Sequence, residues 1–341
     1  MIIHYTYKTQ RMLISLFFLT LFFASCTQTD LVTLDESGKN VNMAVTISTR
    51  SSSDPNVTAS EDAVSEVYVL IYNSNYLLEN GSDIFVTGTN LNSKRWVVKE
   101  GVKHVYVIVN PSSELKARLN SLPSHSNLLA MKTSVSSFET DVSNNPTTGM
   151  LMTGKSENQL IGETNNSVAV NLTKRMARVD LYMRKEANVT GAVTIKSVSM
   201  DNTRKVGQLF DDSNSYTDSN SYSVSGGLIN SSGVLVSVTT SSPSTDTDYT
   251  LVSYNYTHPN ILGTTFSESS VNKLNIILTY VEGGYTMTYT YIAYISDSNL
   301  YQNSKSLFSN NIYQVKTTLY KEGLNLGISG TTTVTNTFTI N

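Results

Sequence analysis

Two stretches, one near each end of this 341-residue chain, alternate apolar and polar side chains with a period of two. Near the start, Val41, Met43, Val45 and Ile47 are separated by residues that include Asn42 and Thr46. Near the end, Val334, Asn336, Phe338 and Ile340 alternate with Thr333, Thr335, Thr337 and Thr339. A period of two sends successive side chains to opposite faces of an extended backbone, so each stretch is a strand with one face for a core and one for water. The first strand closes on Arg50 and runs straight into Ser51, Ser52, Ser53, Asp54 and Pro55, a polar segment within reach of a trypsin-like protease. Two strands of one pattern compete for one groove. The first (Val41, Met43, Val45, Ile47) is expected to be a removable placeholder, and the second (Val334, Phe338, Ile340) the donor that replaces it in a neighbouring molecule.

What precedes the first strand supports removal. Lys8 and Arg11 lead into an apolar run over residues 12–23, shorter than the roughly 20 residues that span a bilayer, which is the pattern of a secretory signal. Ala24 and Ser25 then place small residues before Cys26, the one cysteine of the chain. A lone cysteine makes no internal disulfide, and one placed here resembles the lipidated cysteine of a bacterial lipobox. The bland alternative is a signal anchor with an incidental cysteine. Residues 1–25 therefore read as a lipoprotein signal peptide and 26–50 as a propeptide that carries the placeholder.

The rest of the chain is a succession of short strand patterns. Residues 61–73 are apolar on both faces, as in a strand buried between layers. Residues 95–99 and 103–110 read as a hairpin around Glu100 and Gly101. After Pro111, Ser112 or Ser113 caps a helix with Glu114 in its first turn and Leu115, Leu119 and Leu122 on one face. Residues 174–178 look like a seam, beyond which strands are expected at 179–183, 192–200, 233–239, 249–256, 273–281, 285–295 and 311–320, with residues 211–225 as an exposed loop. Strands at this spacing predict a sandwich in each half, 51–173 and 174–341.

Catalytic and cofactor chemistry finds no frame. His4, His104, His125 and His258 show no metal-ligand spacing, no Gly-x-Ser-x-Gly elbow supports a serine nucleophile, and phosphate-binding loops are absent. Asp211, Asp212, Asn214 and Asp218 lack the glycine and closing glutamate of a calcium loop, so they read as a solvated loop. Tyr285, Tyr289, Tyr291 and Tyr294 fit either a sugar-stacking platform or ordinary cross-strand packing. A net charge of −3 and a pI near 5.8 leave no electrostatic footprint for nucleic acid. The expectation is a protein that is not an enzyme and takes no cofactor.

Taken in order, the lipobox at Cys26, the strand ending at Arg50, the apolar strand over 61–72, residues 105–110 followed by a helix, residues 150–154, the seam over 175–179, and Asn311, Tyr313 and Val315 before Gly323 resemble the Bacteroidales fimbrillins, the FimA/Mfa-like major fimbrial subunits. The likeness runs over nearly the whole chain. It implies an all-β fold of two transthyretin-like Greek-key β-sandwich domains, passage through the outer membrane as a lipoprotein, cleavage between Arg50 and Ser51 by an arginine-specific protease, and polymerisation by strand exchange. Its implied partners are copies of itself or other fimbrial subunits, and a host protein or glycan receptor. Two other readings stand beside the stalk subunit: an anchor or tip subunit of the same pilus, and a surface glycan-binding lipoprotein.

Overall fold

Alternating apolar residues fold here into fifteen strands, with two short helices, in the computed structural model, which describes residues 38–49, 61–133, 149–204, 206–211, 222–225, 249–262, 270–295, 306–322 and 325–335. The chain divides into two compact units, 1–40 and 41–341; of the first, only residues 38–40 are described. The second unit holds the rest of the described residues.

Its first part holds β1 (Asn40–Thr49), β2 (Glu66–Asn73), β3 (Phe85–Thr87), β4 (Trp96–Lys99), β5 (Gly101–Val109), helices α1 (Ser113–Asn120) and α2 (His125–Leu129), β6 (Met152–Ile161) and β7 (Ser167–Lys174). The strands make one seven-stranded sheet in the order β3-β2-β5-β6-β7-β1-β4. It cannot lie flat. β6 and β7 share only the pairs Met152↔Lys174 and Thr153↔Thr173, while side chains from both ends of the order, such as Val69, Val107, Met43 and Val170, meet in one core. The sheet therefore folds at the β6–β7 corner and closes on itself as a sandwich. Gly154 sits at that corner, where an added Cβ would lie 2.4 Å from the Asn171 carbonyl oxygen.

β2 and β5 are covered on both faces, as the sequence of residues 61–73 leads one to expect. Val67, Val69 and Ile71 face the sandwich core, whereas Tyr68, Leu70 and Tyr72, with Tyr106 and Ile108 of β5, face a second core beneath Leu115 and Leu119 of α1 and Leu128 of α2. Ser112 caps α1 by accepting a hydrogen bond at its Oγ from the Leu115 N–H at 3.2 Å. Two expectations are corrected and one helix is new. Leu122 does not join the helix face: it is exposed, in the left-handed region at φ 55°. α2 has no counterpart in the sequence pattern, its five residues being too few for a periodic signal. The expected hairpin over residues 95–110 does not form, because β5 pairs with β2 and β6 while β4 lies beside β1. A two-residue polar break marks a turn but does not say that the next strand enters the opposite layer.

The second part holds β8 (Ala177–Lys185), β9 (Ala192–Thr203), β10 (Tyr222–Ser225), β11 (Thr250–Thr257), β12 (Lys273–Glu282), β13 (Tyr285–Tyr294), β14 (Ile312–Glu322) and β15 (Asn325–Thr335). They form two four-stranded sheets, β10-β9-β12-β13 and β11-β8-β14-β15. Leu181 and Val315 of one sheet and Ile195, Ile276 and Leu278 of the other bury into a common core, so these sheets also stack as a sandwich. Gly283 and Gly284, both at positive φ, make the two-residue turn between β12 and β13 that twisted antiparallel strands favour. The expected loop over 211–225 is corrected at its end, where Tyr222–Ser225 pairs with β9. The expected strand over 233–239 lies outside the described residues, as do Asp212, Asn214 and Asp218.

Candidate subunit-assembly groove

β1 is held inside the seven-stranded sheet, with β7 on one side and β4 on the other. It runs parallel to β7, in a register from Ala44↔Ser167 to Thr49↔Leu172. The Ala44 N–H donates to the Asn166 carbonyl at 2.8 Å, and the Ser48 hydroxyl donates to Asn171 Oδ1 at 2.5 Å. Of the predicted placeholder residues, Val41, Met43 and Val45 are 5%, 0% and 1% exposed, and Ile47 packs half-buried against the same core. Asn42, Thr46 and Ser48 point to solvent. Burying three such side chains is worth roughly 5–9 kcal/mol at about 1.5–3 kcal/mol each. Without β1, β4 would lose the neighbour that joins it to the sheet, and the core would be open along a line of alternating pockets.

The other predicted positions divide. The backbone of Val334 lies in β15, opposite Tyr313 of β14. Among the described residues β15 is an edge strand with one neighbour, anchored through buried Leu326 and the half-buried Ile328. Cys26, Arg50, Ser51, Phe338 and Ile340 lie outside the described residues.

The seam between the two parts carries the most concentrated charge. The chain leaves β7 at Lys174 and enters β8 at Ala177. Buried Arg178 places Nε 2.6 Å from Asp180 Oδ1 and Nη1 2.7 Å from Glu61 Oε1, beneath the ring of Tyr254 at 4.9 Å. Lys174 Nζ lies 2.8 Å from Asp62 Oδ1. Burial by itself would discourage the Arg178 charge, but Asp180 and Glu61 beside it hold the guanidinium firmly protonated. The peptide that precedes β2 is thus tied down at two points: Glu61, eleven residues after Arg50, by these ions, and Ala63 through its carbonyl, which accepts from Asn110 Nδ2 at 2.7 Å.

Two histidines that are distant in sequence come together. His104 and His125 both stack on Tyr76, with centroids 4.5 and 4.3 Å from its ring. Tyr106 bonds His125 Nε2 at 2.7 Å and donates to Glu157. Burial, then the nearby His104, lowers the pKa of His125. Burial would raise Glu157, but the Tyr106 hydroxyl and Lys155 outweigh it and hold the carboxyl below its ordinary range. Sequence spacing gave no hint of this cluster, which β5, β6, α2 and the loop after β2 assemble. Among the described residues no group of three metal-ligating side chains occurs. The four tyrosines of β13 do not make one platform: Tyr289 and Tyr291 pack against the core, and Tyr291 donates to the Leu326 carbonyl at 2.7 Å.

A strand near the start of the chain seated inside a folded-over sheet, with a second sandwich behind it, defines an all-β protein with the fold of the Bacteroidales fimbrillins. No protein-family model and no curated protein matches the chain. Among solved structures, it is similar to a candidate cell-adhesion protein from Bacteroides eggerthii, at 20% identity over 86% of this chain and 97% of the other, with a TM-score of 0.54. It is similar also to the tip fimbrial protein Mfa3 from Porphyromonas gingivalis, at 12% identity over 86% and 97% with a TM-score of 0.53. The fimbrillin FimA from the same organism matches at 14% identity over 89% and 98%, with a TM-score of 0.52.

Proposed function

We propose that this chain is a structural subunit of a cell-surface fimbria, one that is exported as a lipoprotein on Cys26, matured by cleavage after Arg50 and polymerised by donor-strand exchange. The observation that carries the reading is the placement of β1, which fills a core-lined slot with Val41, Met43 and Val45 and is followed at once by Arg50, the only basic residue between positions 48 and 60. Cleavage there leaves β1 held by noncovalent contacts alone. An incoming strand of the same period would then restore both the core contacts and the ladder, a recognised mode of peptide capture. The terminal segment with Val334, Phe338 and Ile340 is the donor. Among the described residues β15 contributes to only one ladder, so its departure breaks a single set of strand pairs there. Contacts of this head-to-tail kind that do not close into a ring produce a filament. A tip role is the second reading, favoured by the match in fold to Mfa3, which is itself a tip fimbrial protein.

Arg50→Ala is expected to leave a full-length, lipidated monomer, and Phe338→Asp a processed monomer that does not polymerise, since an unpaired carboxylate is costly in an apolar slot. Thr337→Asp, on the opposite face, is expected to polymerise. The measurement is the ladder on an unboiled denaturing gel. Equal ladders from all three variants would show that neither the cleavage nor the donor assignment holds, and a ladder absent from the wild type, with normal processing, would favour the tip reading.

A further inference from the structure

Residues 206–210, which leave β9 after Thr203, cross back to the first part of the molecule. There Leu209 is fully buried in the core beneath α1 and α2, and Phe210 meets the Tyr106 ring edge-on at 5.2 Å. The crossing is fastened along its length. The Thr133 N–H donates to the Gly207 carbonyl at 2.9 Å and the Leu209 N–H to the Met131 carbonyl at 3.1 Å. Thr153 Oγ1 of β6 donates to the Leu209 carbonyl at 2.7 Å. Gly207 is required at its place, because a Cβ there would lie 2.8 Å from Nδ1 of the buried His258.

Leu209 and β1 therefore cover opposite faces of the same pair of strands, β2 and β5. Loss of β1 uncovers one face only. The other keeps a complete apolar layer, closed by a strap from the far side of the seam. We infer that this strap makes β1 a separately opening unit: it holds β2, β5 and β6 in register while β1 is out, so that a subunit with an empty slot stays folded without a separate protein to hold it. The biological use of this device rests on the donor-strand reading, but the device itself is a property of the intact chain. Local opening of one element beneath the global unfolding free energy is expected where the remaining elements retain their own core.

The experiment is native-state hydrogen exchange on the intact, uncleaved chain, which requires neither processing nor polymerisation. In the wild type, amides of β1 are expected to be protected about tenfold or more less than those of β2 and β5, by an opening of their own. In Leu209→Ala the gap is expected to close, with β2 and β5 exchanging together with β1. Thr153→Val, which removes one fastening bond and keeps the side-chain volume, is expected to narrow the gap, and it decides the matter if Leu209→Ala does not fold. Equal protection of β1, β2 and β5 in the wild type, or a gap unchanged in the folded variants, overturns the inference. An error in the strand-exchange reading would appear elsewhere, as polymer formed by the uncleaved Arg50→Ala chain.

Discussion

Met43 has the deepest seat of any side chain on β1, at 0% exposure, between Val41 and Val45 on the same face. Truncation there removes most of a buried side chain, so Met43→Ala is expected to destabilise the intact precursor by about 2–5 kcal/mol, and Asn42→Ala, on the solvent face, by no more than about 0.5 kcal/mol. Urea midpoints of the two variants check this. A cost confined to the precursor and absent from assembled polymer would also agree with removal of β1. A second residue-scale consequence concerns pH. His125 titrates below its ordinary 6.5 and Glu157 below its ordinary 4.5. A group whose folded pKa lies below its unfolded one binds fewer protons folded than unfolded, so its stabilisation is present above the unfolded pKa and lost as pH falls through the folded one. Both groups act in the same direction. Stability is expected to decline as pH falls through 6.5 on account of His125 and further as it falls through 4.5 on account of Glu157, and His125→Gln, which can still donate to Tyr106, is expected to flatten the upper part of the profile. A midpoint that rises on acidification through this range would contradict the arrangement.

At the scale of elements, what was legible in the sequence was whatever local period dictates. Val41, Met43, Val45 and Ile47 announced β1 and its buried face, the double-sided apolar pattern over residues 61–73 announced a strand between layers, and Ser112 with Leu115 and Leu119 announced α1. Pairing was not legible. Nothing in β1 says that it runs parallel to β7, a strand more than 100 residues away, and nothing in Glu100 and Gly101 says that β4 and β5 part into different layers. The strap was invisible for a related reason. Leu209 is one apolar residue in a short irregular stretch, and only the second core gives it meaning. The corner between β6 and β7 is legible only in part, since a glycine at position 154 marks a close approach without naming what approaches. There the structure allows a sharp test. An added Cβ at Gly154 meets the Asn171 carbonyl oxygen at 2.4 Å and Val170 Cγ1 at 2.7 Å, and backbone cannot move aside as a flexible side chain can. Gly154→Ala is expected to cost about 1–3 kcal/mol by overpacking, and because it pushes on β7, the loss should be accompanied by faster amide exchange in β1. An alanine variant as stable as the wild type would mean that the corner is looser than its contacts imply.

For the molecule as a whole, the question is how load applied at one sandwich reaches the other. In the proposed filament a neighbour's strand pulls on the slot of the first part, while the donor leaves from the last strand of the second, so tension must cross the seam. Only Arg175 and Met176 separate β7 from β8, and that covalent link is flanked by the Leu209 strap and by the pairs Arg178 makes with Glu61 and Asp180. Ion pairs that are exposed contribute about 0–1 kcal/mol, but removal of one partner from a buried group leaves the other charges uncompensated at a cost of about 3–5 kcal/mol. Arg178 and its two carboxylates are buried, whereas the Lys94 pair with Asp83 is largely in water. Arg178→Met is therefore expected to lower stability by that larger amount and Lys94→Met by almost nothing. The more telling readout is cooperativity. With the seam intact, the two sandwiches are expected to melt in a single calorimetric transition; with Glu61 and Asp180 left facing an apolar methionine, the first sandwich loses its hold on β8 and the melt is expected to split in two. A lowered but still single transition in Arg178→Met would assign the coupling to the strap, and Leu209→Ala should then be the variant that divides the melt.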